Sequence, residues 1–276
     1  MRLATIRTGD GTRAVRLDGD HYVELGAADV GELLRQPGWR AAASAADGPA
    51  RRADGLAFAP VVPRPGKIVC VGLNYRAHIK EMGRDLPRYP TLFAKFPEAL
   101  LGAHDDIELP PESGALDWEA ELAVVIGAPV RRAAPEEAAA AIAGFSVLND
   151  VTARDWQFRT PQWLQGKTFE ATTPFGPVLV TPDELPGGLA PELELTCLVD
   201  GAVMQRADTA DLVFSPVELV GYVSSILTLQ PGDVIATGTP GGVGHARTPA
   251  RYLTDGALVD TEIAGIGRLS NRVRTP

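Results

Sequence analysis

Cysteine is almost missing: Cys70 and Cys197 are the only two in 276 residues. Both stand in apolar runs, which suits small buried hydrophobes better than a cross-link. No cysteine framework implies an oxidising compartment, so a reducing cytoplasm is expected. Long apolar runs are missing too. None approaches the roughly 20 residues that span a bilayer, and the opening Met1–Arg7 lacks the apolar core of a signal peptide. Basic charge is scarce. Lys and Arg number 26 against 35 Asp and Glu, giving a net charge of -9 and a pI near 5.0. That argues against nucleic acid or an anionic membrane surface as a partner. No Gly-x-Ser-x-Gly element is present to support a serine hydrolase.

What remains is an ordinary globular composition, long enough to bury a sizeable core. Residues 1–63 read as a small α/β unit: two alternating runs, Arg2–Thr8 and Arg13–Leu17, flank Gly9-Asp10-Gly11, and an alanine-rich stretch near 40–50 suggests a short helix. Pro60, Pro63 and Pro65-Gly66 punctuate its end. Residues 64–276 read as a second, larger domain. Strand-like runs fall at 67–72, 122–126, 144–148, 178–180, 193–199, 233–237 and 257–263. Helices are expected at 74–82 and 135–143, and from the capping box Ser215-Pro216-Val217-Glu218 to about Leu229. Gly83–Pro90 reads as a mobile surface loop. The pattern is β-rich α+β, not alternating βαβ units.

Acids interrupt one apolar strand. In Leu116–Gly127, side-chain alternation puts Asp117, Glu119 and Glu121 on one face. Ionised carboxylates crowded in an apolar setting repel and lose hydration, and a divalent cation relieves both effects. Glu119 and Glu121, nearest the apolar end, are the candidate ligands. Asp117, read as nearer the surface, is assigned a supporting place. Asp150, directly after another apolar run, could supply a third oxygen, although an Asn-Asp pair also suits a turn or cap. All-carboxylate ligation favours Mg²⁺, with Mn²⁺ or Ca²⁺ also suited, over Zn²⁺.

Three further segments could carry chemistry. His78 and Glu81 share a face if 74–82 is helical, and a carboxylate beside an imidazole orients it as a base. From spacing alone a surface pair explains them as well. Lys167, after Gly166, could meet a carboxylate or enolate oxygen, or simply be solvated. Thr237–Gly244 lacks the phosphate-loop ending and the dinucleotide spacing, and reads as a tight turn or a loop whose N–H groups approach a small anion.

In this order the segments resemble the fumarylacetoacetate hydrolase family in its shorter form. The matching stretches are Val71–Tyr75 with His78 and Glu81, Trp118–Leu122, Asn149–Asp155, Gly166–Phe169 and Thr237–Gly244. The resemblance implies a mixed β-sandwich roll, usually a homodimer, with Mg²⁺ or Mn²⁺ on Glu119, Glu121 and Asp150. It implies His78 and Glu81 as a water-activating pair on a segment that orders over substrate, and Lys167 as an enolate-stabilising group. Gln157, Arg154, Thr239 and Tyr75 match substrate-contacting stretches. The long eukaryotic members have an aspartate near the position of Asn74, which agrees instead with the shorter form, and Phe169–Pro174 departs from the commoner wording of the family. The activity implied is metal-dependent hydrolysis of a carbon–carbon bond in an acylpyruvate-like oxo acid. The alternative is isomerisation or decarboxylation of a dienoate diacid or oxaloacetate, through the same enolate but without an attacking water. A cation that only braces a β-domain is a third, non-enzymatic reading.

Overall fold

Runs of β-branched and aliphatic residues cut by Gly and Pro make strands the dominant element. The structure, a computed structural model, describes every residue except Met82 and Arg84, and only the backbone of Glu81. The chain opens with β1 (Arg2–Thr8) and β2 (Gly11–Asp18), an antiparallel hairpin turning at Gly9-Asp10. Next come β3 (His21–Glu24), α1 (Val30–Arg35), α2 (Trp39–Ala45) and β4 (Arg51–Arg52). The middle of the chain contains β5 (Ile68–Gly72), α3 (Arg76–Glu81), β6 (Thr91–Lys95), β7 (Leu100–Leu101), β8 (Ile107–Glu108), β9 (Leu116–Asp117) and β10 (Ala120–Ile126). It continues through α4 (Pro135–Ala140), β11 (Ile142–Asn149), β12 (Thr152–Ala153), α5 (Arg154–Gln157), α6 (Leu164–Lys167) and β13 (Thr173–Val180). The last part holds β14 (Glu194–Val199), β15 (Ala202–Asp208), α7 (Pro216–Ile226), β16 (Val234–Ala236), β17 (Leu258–Ile263) and β18 (Gly267–Arg274).

Ten strands run β4-β3-β2-β1-β13-β11-β10-β16-β5-β6, with β7 paired alongside β13. A second sheet runs β15-β14-β17-β18-β8. Most pairs are antiparallel, and β5–β16, β7–β13 and β8–β18 are parallel. The β10 strand is buried on both faces, which explains its unbroken apolar run. Leu122, Val124 and Ile126 join one core with Leu195, Val259 and Leu269 of the second sheet. Ala123 and Val125 face a second core with Val30, Leu33 and Leu34 of α1. The N-terminal strands and the rest of the chain therefore share one sheet: Arg2 pairs with Val180 and Leu3 with Leu179.

Several boundaries differ from the sequence reading. The helix at 135 ends at Ala140, because Ile142 and Ala143 open β11; α7 stops at Ile226. The strand at 178–180 is only the end of β13, which begins at Thr173 despite Pro174 and Pro177. The strands β6, β15 and β18 were not anticipated. The described residues of 83–90 form neither helix nor strand. Among the described residues no helix is long and apolar enough to cross a membrane.

Candidate metal-binding active site

Register assembles the acids. In the β10–β11 ladder Ala120 stands opposite Asn149 and Glu121 opposite Leu148. One step outward, Glu119 therefore meets Asp150, and the Asp150 N–H donates to the Glu119 carbonyl at 2.8 Å. Opposite residues share a face, as do residues two apart, so Glu119, Glu121 and Asp150 converge. All three are buried, and ligand atoms from each lie within 4.8 Å of one another. The expected continuous strand is interrupted at Trp118–Glu119. The freed N–H groups of Glu119 and Ala120 donate to the side chains of Asn149 (2.9 Å) and Gln205 (2.9 Å), so the break carries no unsatisfied amide.

Asp117 is a correction. It is not near the surface but fully buried. Its carboxylate accepts from Arg154 Nε at 2.8 Å and from the N–H groups of Gly244 (2.7 Å) and His245 (2.9 Å). Four donors with the Trp118 N–H make an ionised acid tolerable there. The glycine-rich loop is corrected by the same bonds. Its N–H groups do approach anions, but the anions are the chain's own: Gly244 meets Asp117, and Gly238 meets Glu121 at 2.7 Å.

Three cations face the acids. The short α5 puts Arg154 and Gln157 one turn apart, joined by an Nη1–Oε1 bond of 3.0 Å. Arg154 also binds Glu119 at 2.6 Å. Lys167 ends α6, where its Nζ donates to Glu119 Oε2 and Asp150 Oδ2, both at 2.8 Å, and lies 4.8 Å from the Phe93 ring centre. Gly166 before it is obligatory: a Cβ there would meet Gln157 N at 2.4 Å and Ala153 O at 2.5 Å. The third cation is Lys95, which the sequence reading missed. Its fully buried ammonium donates to Asp150 Oδ1 at 2.6 Å and the Val151 carbonyl at 3.0 Å. The available signal was Phe93-Ala94-Lys95, a lysine two places from an aromatic on one strand face.

Charges settle accordingly. Burial alone would raise the Glu119 carboxyl, but Lys167 and then Arg154 outweigh it and hold it below the ordinary range. Burial would also strip Lys167, but Asp150 and Glu119 keep its pKa at about 12. Glu121 is the exception. Among the described residues it has no ion-pair partner, and burial, then Asp150 and Glu119, push its pKa well up. A buried carboxyl without an ion-pair partner, beside two further carboxyls, fits a hard divalent cation, as does the absence of imidazole or thiolate from the donor set. Glu119, Glu121 and Asp150 could hold such an ion.

Of the three acids, Glu119 lines a cavity of ≈ 250 Å³, together with His78, Arg154, Gln157, Lys167 and Thr239. The Thr239 hydroxyl is shared between Gln205 Nε2 at 2.8 Å and the Ala120 carbonyl at 3.0 Å. His78 comes from α3, whose start is stitched down by Asn74. The Asn74 amide donates to Thr237 and Phe214 carbonyls and accepts from the Phe214 N–H. The expected partner of His78, the Glu81 side chain, lies outside the described residues. Tyr75 is buried beside Leu212 and does not line the cavity. Burial, then Glu121, push its phenol far up.

A family model described as Fumarylacetoacetate (FAA) hydrolase C-terminal matches residues 67–274. Oxaloacetate tautomerase FAHD2A, mitochondrial, of Bos taurus is 46% identical over 220 residues, covering 79% of this chain and 69% of that protein. The structure of fumarylacetoacetate hydrolase (EaFAH) from psychrophilic Exiguobacterium antarcticum superposes with a TM-score of 0.90 at 34% identity, over 100% of both chains. That of 5-carboxymethyl-2-hydroxymuconate delta-isomerase from Mycobacterium smegmatis gives 0.80 at 33%, over 100% of this chain and 99% of the other. With its β-rich mixed sheets and buried acidic triad, the chain belongs to the fumarylacetoacetate hydrolase family of enzymes.

Proposed function

We propose that the protein is a divalent-metal-dependent enzyme that acts on a short 2-oxo dicarboxylic acid through its enol form, with keto–enol tautomerisation of an oxaloacetate-like acid as the reaction. The observation that carries this reading is the convergence of three carboxylates, one of which, Glu119, lines a cavity with Lys167, Arg154 and His78. The 46% identity to an oxaloacetate tautomerase supports this reaction over carbon–carbon hydrolysis. Bound by Glu119, Glu121 and Asp150, the metal would supply Lewis acidity toward the oxygens of a 2-oxo carboxylate.

The residues divide the remaining work. Arg154, steadied by Asp117 and Gln157, presents a guanidinium to a substrate carboxylate. Lys167, kept cationic by its neighbours, places positive charge where enolate charge develops. His78 on the cavity wall takes a proton from the carbon beside the ketone and returns it. Phe93 and Trp163, in edge contact at 5.4 Å, keep that wall apolar and limit water. Hydrolysis is the second reading, favoured by the match to EaFAH over the whole chain; there His78 would take its proton from water.

Proton NMR of oxaloacetate in D₂O with Mg²⁺ tests the choice. Tautomerisation exchanges the C3 hydrogens for deuterium faster than buffer does, with no carbon lost. Hydrolysis of acylpyruvates in H₂¹⁸O, with label in a product carboxylate and no C3 exchange, would overturn the tautomerase reading.

A further inference from the structure

One titratable side chain at the cavity has no part in the proposed reaction: His245. It stands exposed at the mouth, yet is held from three sides. Its backbone N–H donates to Asp117 Oδ2 at 2.9 Å, the same oxygen that takes Arg154 Nε at 2.8 Å. Its Nδ1 lies 2.9 Å from the Tyr252 hydroxyl. Its ring lies 5.2 Å from that of Phe158, centre to centre. The backbone has little room to shift, since a Cβ on Gly244 would meet the Arg251 carbonyl at 1.9 Å and Asp117 Oδ1 at 2.7 Å. A histidine that only meets solvent needs none of this fixing.

Two donors on one carboxylate oxygen are immediate neighbours, so His245 is anchored next to Arg154. Arg154 already donates to Asp117, Glu119 and Gln157, and Lys167 to Glu119 and Asp150. A substrate with a second carboxylate needs a further donor toward the mouth. The Tyr252 hydroxyl can donate to Nδ1, and the imidazole then carries a proton on Nε2; Nε2 makes no hydrogen bond to any described residue.

We propose that His245 is a specificity-determining residue: its Nε2–H receives the distal carboxylate of a dicarboxylate whose 2-oxo-acid end lies at Arg154 and Lys167, and Tyr252 is its positioning residue. An apolar tail would be served by Phe158 alone and would not require the ring nitrogen to be fixed. The inference rests on the 2-oxo-acid reading of the site.

Calorimetric titration of the Mg²⁺-loaded full chain separates the two claims. Oxalate fills only the inner end; 2-oxoglutarate also reaches outward. His245→Ala should weaken 2-oxoglutarate about tenfold, the scale of one hydrogen bond to a charged group, and leave oxalate within about twofold. His245→Gln, which keeps a neutral N–H donor, should recover part of the loss, and Tyr252→Phe should fall between wild type and alanine. With oxaloacetate as substrate the alanine variant should raise KM far more than it lowers kcat. Equal weakening of both ligands, or unchanged 2-oxoglutarate binding, overturns the role of His245 while leaving the site reading intact. Wild-type protein that binds neither ligand overturns both.

Discussion

Glu121 and Asp150 sit in the same acidic group but depend on different charges. Asp150 is answered by Lys95 and Lys167, whereas Glu121 has the Gly238 N–H and the field of Lys167, with which it forms no ion pair, against burial and the repulsion of its neighbours. Replacing Glu121 with Gln therefore removes a group whose charged form is disfavoured in the metal-free protein and keeps the shape. Its thermal midpoint without metal should equal or exceed that of wild type. The rise that Mg²⁺ gives wild type, which grows with ligand concentration over Kd, should vanish. A Mg²⁺-dependent rise surviving in Glu121→Gln would remove Glu121 from the ligand set. Lys95→Met acts in the opposite direction. It leaves a fully buried carboxylate with one cation fewer, a loss on the order of 3 kcal/mol, read by urea unfolding without added metal. An unchanged midpoint would mean that Lys167 alone compensates Asp150.

At the scale of elements, the sequence was legible where alternation or an apolar run stood clear. The hairpin of β1 and β2, the buried β10 and the capping box of α7 were all visible. The triad was visible because register follows from alternation once β10 and β11 pair. Elements were lost where interior positions carry polar groups. In β18, Asn271 occupies a buried place between Leu269 and Val273 and donates to Gly102 and Asp105 carbonyls. In β15, Gln205 is buried beside Met204 because its amide serves Ala120, Thr239 and Pro240. Asp117 was misplaced for the same reason: its partners come from Arg154 and from a loop more than a hundred residues on. Lys95 was hidden because a lysine in a short edge strand normally reaches solvent. The contact of α5 with α6 gives a prediction of its own scale. Gly166→Ala drives a methyl group into the backbone of Gln157 and Ala153, and overpacking of this kind typically costs about 1–3 kcal/mol. The larger effect should be on turnover, since both helices carry site residues and a small shift misplaces Lys167 and Gln157 together. A variant with normal kcat/KM and a normal midpoint would show that the helices can part without cost.

Across the whole molecule, the site is held by a sheet that does not stop where the chain's texture changes. The break near residue 63 separates a short, hairpin-led segment from the run that the family model matches, but β1 continues the same sheet by pairing with β13. Leu3, Val30, Leu33 and Leu34 pack in one core with Phe175, Leu179, Ala123 and Val125, and Trp39 Nε1 donates to the Gly127 carbonyl at 3.1 Å. Those last contacts fall on the face of β10 that also carries Glu121. Removing residues 1–63 would uncover the β13 edge, leaving an unpaired strand prone to pair with other chains. It would also expose several large apolar side chains, each worth about 1.5–3 kcal/mol when buried. Against a typical domain stability of roughly 5–15 kcal/mol, that loss is enough to unfold or aggregate the remainder. A 64–276 fragment should therefore appear in the insoluble fraction, or as a soluble aggregate without a cooperative thermal transition. If instead it melts cooperatively and retains the Mg²⁺-dependent rise in midpoint, the catalytic sheet is self-sufficient, and the N-terminal segment must be assigned a role other than covering it.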